Sequence, residues 1–335
     1  MAKIKDIAAA TGFSIATISR VLNQDQAFSV SDETRLKILG AAEKLNYIPL
    51  NQRDHLPSHS SKKEKNAITI GLAYWYSTAD EIVDPYYLSI RLAIEHYCEA
   101  NQIELKLFYL PEKNDDEIKS AELHGLIALG KYSESEINAL HQLNAHFVLV
   151  DCYAKHPEID VVMVDLKEAT KNIIEYLLQS DVSSIGFIGG IEGTLDGKAL
   201  EDIRLTTFAK HEKADHDTIY LGAFNADSGY EIMTNIIRAK ALQSAYIIAS
   251  DAIAIGCLKA LNEHQIKVPQ DVSLISYNNI ALSQYTIPAL TTVDLNTKHI
   301  GTTAAELLIG RIKANRHLGR KVFIPTQLIK RESSS

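Results

Sequence analysis

The sequence predicts an all-α helix-turn-helix head followed by an α/β body of two doubly wound parallel-sheet lobes. Three observations predict it. The first fifty residues hold short amphipathic helical patterns separated by cap and turn residues. Residues 50–66 are polar and enriched in Ser and Lys, as a linker is. From residue 67 onward, continuous apolar runs alternate with helical patterns. Such alternation means parallel sheets covered by helices on both faces. The 335 residues exceed one ordinary domain, and the stretch after the linker would overfill one sheet. The expected division is therefore residues 1–49 for the head and 50–66 for the linker or hinge. The first lobe takes 67–160 plus 293–320, and the second takes 161–292 plus 321–332.

In the head, a first helix is expected at 5–10, and Gly12 supplies the positive φ of the turn after it. Ser14 is a good N-cap for a second helix at 15–22. Ile18, Val21 and Leu22 share one face of that helix and form a small core with Ile7 and Ala8. Ser31 caps a third helix, whose positive end suits Asp32 and Glu33. Its apolar row is expected to be Leu36, Leu39, Ala42 and Leu45, and Asn46-Tyr47-Ile48-Pro49 ends it. In the body, strands are expected at 68–73, 105–110, 126–129, 147–150, 161–164, 185–188, 246–249 and 272–277. Helices are expected at 88–100, 134–143, 167–178, 230–240, 252–263 and 298–313.

Composition narrows the class. Hydrophobic content of 46% and charged content of 23% fit a soluble globular chain. No apolar run is long enough to span a membrane, and the polar N-terminus lacks a signal-peptide stretch, so the cytoplasm is expected. Cys98, Cys152 and Cys257 are far apart, without redox or metal spacing, and the 12 histidines are scattered. Gly186-x-x-Gly189-Gly190 lacks the dinucleotide fingerprint. No catalytic residue, metal or cofactor is therefore expected, and the chain does not read as an enzyme. The net charge of −8 is unevenly divided. Residues 1–65 carry ten Lys and Arg against seven Asp and Glu, a net +3. The remainder carries 24 against 35, a net −11. A basic head on an acidic body suits a protein that meets phosphate with one end.

Lys5-Asp6-Ile7-Ala8, Gly12-x-Ser14 and Thr17-Ile18-Ser19-Arg20-Val21-Leu22-Asn23 resemble the lactose-repressor family (LacI/GalR). Ser31-x-x-Thr34-Arg35, Ala42, Leu45, Tyr47 and Pro49 extend that resemblance. It implies a sequence-specific transcriptional repressor, a homodimer on a palindromic double-stranded operator. The second helix would then enter the major groove. Ile15, Ala16 and Arg20 stand at its base-reading positions, and Ser14, Thr17, Ser19 and Asn23 suit phosphates. Arg20 can donate two bonds to a guanine edge, whereas Ile15 and Ala16 make only apolar contacts. In the family a leucine from the hinge wedges into the minor groove, and Leu56 matches it. Pro57, Arg53, Asp54 and the coil-favouring 58–61 depart from the hinge-helix pattern.

The body resembles the family's effector domain, itself similar to periplasmic sugar-binding proteins. The landmarks are Val150-Asp151, Asp202-x-Arg204, Phe224, Ser250-Asp251-x-x-Ala254-x-Gly256, 272–278, Pro288-x-Leu290-Thr291-Thr292 and Ile329-Lys330-Arg331. The resemblance implies a small sugar effector between the lobes. Arg204 matches the family arginine that binds sugar hydroxyls or an anionic group, and Phe224 fits an aromatic platform or fills the core. Ser250 and Asp251 follow a strand end, where such folds place ligands, although Asp251 could instead cap the next helix. Asn278 stands where the family usually has Asp, and Leu295 replaces a polar contact. Asp151 joins this set, as do Trp75, Asp84 and Tyr86 around the first strand's end. The run Asp84-Pro85-Tyr86-Tyr87 looks like the branch that regulates galactoside use, which makes galactose or a galactoside the expected effector. The alternative is a purine or protein corepressor that tightens DNA binding.

Overall fold

The computed structural model describes residues 4–22, 30–44, 68–110, 115–180, 182–211 and 216–334. The chain divides into two compact units, 1–66 and 67–335.

The first unit is helical: α1 (Ile4–Thr11), α2 (Ile15–Leu22) and α3 (Asp32–Lys44). Gly12 sits at φ +75°, as the turn requires. Ser14 Oγ accepts the Thr17 N–H at 3.1 Å, and Ser31 Oγ accepts the Thr34 N–H at 3.3 Å, so both serines cap their helices. Ile7, Ile18, Val21, Leu22, Ile38 and Ala42 form the core. In α3, Ala42 of the expected row is buried, but Ile38, four residues before it, takes the inward place expected of Leu39, which is exposed.

The second unit holds two six-stranded sheets. The first lobe runs β1 (Thr69–Tyr74), α4 (Thr78–Val83), α5 (Tyr86–Ala100), β2 (Glu104–Tyr109), α6 (Asp115–Lys119) and β3 (Gly125–Leu129). It continues through α7 (Glu134–Leu143), β4 (Phe147–Val150) and β5 (Asp160–Val164). The second lobe runs α8 (Leu166–Leu178), β6 (Ile185–Gly190), α9 (Ile203–Ala209), β7 (Ile219–Gly222), α10 (Ala226–Arg238) and β8 (Ala245–Ile248). It continues through α11 (Asp251–Glu263), β9 (Ser273–Tyr277) and β10 (Thr291–Asp294). The chain then returns through α12 (Thr297–Ala314) and β11 (Lys321–Ile324) before crossing to β12 (Gln327–Ile329).

The sheet orders are β11-β5-β4-β3-β1-β2 and β12-β10-β9-β8-β6-β7. Every pairing is parallel except β10 with β12. This topology corrects the expected lobe boundaries. Residues 160–164 and 321–324 pair with each other in register Val161↔Lys321 and belong to the first sheet. Residues 291–294 belong to the second. Short apolar segments carry no label saying which sheet completes their hydrogen bonds; the pairing partner decides. The crossings therefore fall at 165, 295–296 and 325–326.

Close helix packing braces the second lobe. A Cβ at Gly256 would lie 1.8 Å from the Ala226 carbonyl oxygen, and one at Gly229 would lie 2.1 Å from that of Ile253. Only glycine lets α10 and α11 approach this far.

Candidate functional site

In the first unit, α2 buries Ile18, Val21 and Leu22 and turns its other face outward. Ser14, Ile15, Ala16 and Arg20 are exposed, and Thr17 and Ser19 are half-buried. The helix therefore presents the polar, cationic and small apolar groups together, on the side away from its core. Asn23 and Leu56 lie outside the described residues.

In the second unit, both sheets aim the carboxyl ends of their parallel strands at one small cavity between the lobes. Most of its walls are residues within two positions of a strand end, which is where open α/β sheets bind ligands, with Asp84, Tyr86, Tyr87 and Arg204 added from the following loop and helices. Of the expected residues, Asp84, Tyr86, Asp151, Arg204, Phe224, Ser250 and Asn278 line it.

Arg204 enters from the first turn of α9 and is almost fully buried. Asp202, the N-cap of that helix, accepts the Arg204 Nε–H at 2.9 Å and lies 2.8 Å from Nη2. Nη1 donates to the Ala249 carbonyl at 2.6 Å. The guanidinium lies over the rings of Phe224 and Tyr277, at 5.4 and 5.6 Å from their centroids. It is thus held at all three nitrogens and stacked on its faces, which leaves one proton each on Nη1 and Nη2 for ligand oxygens. Phe224 owes its position to Gly190, where a Cβ would fall 2.0 Å from the ring.

Opposite, Asp151 Oδ2 accepts from the Tyr87 hydroxyl at 2.7 Å and pairs with Lys131 Nζ at 3.0 Å. Asp84 Oδ1 accepts the Tyr86 N–H at 3.1 Å. Burial pushes the Asp84 carboxyl above its ordinary range, against the pull of that N–H and of Arg204. Burial likewise raises Glu192, against Lys131 and Arg204. The cavity combines carboxylates, a guanidinium, an ammonium, an amide and aromatic rings, which is the surface that a polyhydroxylated ring requires.

Two expected residues stand elsewhere. Trp75 does not line the cavity; it lies across Gly130, where a Cβ would meet its own at 2.2 Å, and packs edge-on to Tyr87. Both residues follow the end of β1, and the next one, Tyr76, takes the cavity wall. Asp251 is fully buried behind the wall. Its carboxylate accepts from the Ser276 hydroxyl, from Thr292 Oγ1 at 2.7 Å and from the Ile280 N–H at 2.8 Å. It does not cap α11 either: Ser250 does, accepting the Ile253 N–H at 3.3 Å while facing the cavity. Tyr76, Tyr87, Lys131, Leu166, Glu192 and Leu295 complete the lining. Reading the second residue after each strand end would have found Lys131 and Glu192; no spacing motif marks them.

Burial pushes the Asp251 carboxyl up to about 6, above its ordinary 3.8. Between those values the folded protein keeps a proton that the unfolded chain has released. The contribution to stability is complete below the lower value and is lost as pH rises through the upper one. In Asp251→Asn, a loss of order 2–3 kcal/mol between about pH 4 and pH 7 should disappear relative to the parent. Urea unfolding at both pH values measures it, and equal changes in parent and variant would refute the assignment.

The lobes are also tied beside the cavity. A loop from β6 closes with a Gly193↔Ala199 bridge and reaches the N-terminus of α7. The Asp196 carboxylate accepts from Ser133 Oγ at 2.8 Å and Ser135 Oγ at 3.1 Å. The Asp196 N–H donates to Glu136 Oε1 at 2.7 Å. Lys198, followed by Thr194 and the two serines, holds the Asp196 carboxyl well below its usual range.

Comparison with known proteins fits this geometry. A model of bacterial regulatory proteins of the lacI family matches residues 3–50, and one of a periplasmic binding protein-like domain matches 174–334. The HTH-type transcriptional regulator GalR of Lacticaseibacillus casei is 36% identical over 341 residues, covering 100% of both chains. The HTH-type transcriptional regulator GanR of Bacillus subtilis (strain 168) is 36% identical over 343 residues, covering 99% of each. The crystal structure of the Lac repressor dimer bound to operator and the anti-inducer ONPF shares the fold, with a TM-score of 0.70 at 21% identity over 99% of both chains. Among the described residues no helix is long and apolar enough to cross a membrane.

Proposed function

Because the chain belongs to the LacI family of bacterial regulatory proteins and is a DNA-binding transcriptional regulator, we propose that it is an operator-binding repressor released by galactose or a galactoside. The observation that carries the effector half is the cavity lining, where Arg204, Asp84, Asp151 and Asn278 converge beside Phe224. The relatives GalR and GanR, similar over the whole chain, support the choice of sugar. The repressor acts as a homodimer in the cytoplasm, and two-fold symmetry gives a palindromic operator.

Ile15, Ala16 and Arg20 read bases, while Ser14, Thr17 and Ser19 bind phosphates. Asn23 and Leu56 are assigned to phosphate contact and minor-groove insertion on family resemblance alone. Arg20→Ala should lose about 1–3 kcal/mol of discrimination between operator and random DNA. The weak, salt-sensitive binding that phosphate contacts supply should persist. Binding curves on both DNAs at two salt concentrations measure this, and unchanged discrimination would reject Arg20 as a base reader.

The effector is tested by titrating galactose and galactosides against a fluorescent operator complex. Release of DNA is expected. Tightening by a purine or a protein, with no response to any sugar, would instead establish a corepressor.

A further inference from the structure

Residues 191–200, after β6, form a stiff prong. The Leu200 N–H donates to the Glu192 carbonyl at 3.0 Å, and Gly193 pairs with Ala199. At the tip the Thr194 N–H donates to the Lys198 carbonyl and the Gly197 N–H to the Thr194 carbonyl, both at 2.9 Å. Gly197 sits at φ +79°, where a side chain would be strained. The Thr194 hydroxyl donates to the Asp196 carboxylate and accepts the Lys198 N–H at 3.1 Å. The shape of the tip is therefore fixed from within.

The prong belongs to the second lobe, and its tip rests on the first. Apolar packing does not hold it there, because Ile191 is 67% exposed and Leu195 43%. The attachment is polar. Beside the bonds of Asp196 to Ser133, Ser135 and Glu136, the Lys198 ammonium donates to Ser135 Oγ at 3.1 Å and to Asp196 Oδ2 at 2.7 Å. Glu136 serves both lobes: Oε1 accepts the Asp196 N–H, and Oε2 accepts the Ser133 N–H at 2.7 Å in the capping box of α7. The Asp196 carboxylate also meets the positive end of α7, which favours an anion from either lobe. Asp196, Ser135 and Lys198 are open to water, so this contact can break without stranding their charges or hydroxyl.

We propose that residues 191–200 are a detachable clasp, which holds the two lobes together and must release before they separate. Glu192, at its base, lines the cavity, so a ligand that touches Glu192 touches the clasp as well. The clasp does not depend on which ligand the cavity takes.

Pulsed electron resonance on the full-length, ligand-free protein tests it, with spin labels at Asn138→Cys and Glu231→Cys. Both positions are exposed, one on α7 and one on α10, whereas Cys98, Cys152 and Cys257 are buried. The parent should show one main, short distance between labels. Asp196→Ala should raise the ratio of separated to joined lobes about 3-fold or more. Ser135→Ala changes the first lobe and leaves the prong intact; it should act in the same direction and add little on top of Asp196→Ala. Raising salt from about 0.05 M to about 1 M should separate the lobes of the parent and barely affect Asp196→Ala. Unchanged distances in a folded Asp196→Ala protein would overturn the clasp. Effects of the two variants that simply add would overturn it too, because the residues would then act separately. If Asp196→Ala fails to fold, the parent decides: lobes that stay joined at high salt overturn the proposal.

Discussion

Replacing Asp160 with alanine is expected to destabilise the second unit by about 3–5 kcal/mol. Asp160 opens β5 and is fully buried. Arg316 donates to both its oxygens, at 2.8 and 2.7 Å, and the Arg320 N–H donates at 2.6 Å. Arg311 Nη1 lies 3.5 Å away, on a side chain only 2% exposed that also donates to the carbonyls of Ala145 and His317. One carboxylate thus fastens the end of α12 and the approach to β11 onto β5, the pairing that brings residues 321–324 back to the first sheet. Without it, the buried Arg311 guanidinium and the partly exposed Arg316 guanidinium lose their only carboxylate among the described residues, and stranded buried charge costs far more than a lost surface pair. Urea denaturation followed by circular dichroism gives the figure. A loss below about 1 kcal/mol would show that Asp160 is not the clasp. A double-mutant cycle with Arg316→Ala should return a large coupling energy.

The second large effect is expected at Arg204. Arg204→Ala should weaken galactoside binding at least about 100-fold, because hydrogen bonds from a charged donor are worth about 1.5–3 kcal/mol each. It also strands Asp202, whose side chain is 8% exposed, so the variant's melting temperature must be followed alongside. Arg204→Lys keeps the charge and loses the planar fork and its stacking on Phe224 and Tyr277, so it should fall between the parent and alanine. Operator affinity without sugar should stay within about 2-fold in both variants. DNA release at the parental sugar concentration by a folded Arg204→Ala protein would move the effector site away from the cavity.

Some of this was readable from local chemistry. Ser14 and Ser31 announce helix starts because a hydroxyl before an apolar row satisfies an otherwise unpaired backbone N–H. The outward face of α2 follows from helical periodicity, since Ile18, Val21 and Leu22 consume the inward one. Continuous apolar runs announce buried parallel strands, and strand ends point to the cavity; Asp84, Asp151, Arg204, Ser250 and Asn278 were reached that way or through family resemblance. Other assignments were not readable. Trp75 and Tyr76 are adjacent aromatics just past β1, and only the packing of Trp75 across Gly130 chooses between them. Ser250 and Asp251 are adjacent polar residues, and only the arrival of Ser276, Thr292 and Ile280 makes Asp251 structural.

The sequence by itself determined the order of elements, their caps, the outward face of the second helix and the α/β character of the body. Each depends on residues within one or two turns or strands, where period and side-chain chemistry suffice. Tertiary structure alone decided which sheet receives 160–164 and 321–324, which neighbour faces the cavity and how Lys131 and Glu192 come to line it. Those depend on partners distant in sequence, whose hydrogen bonds and packing are chosen only when the whole chain has folded.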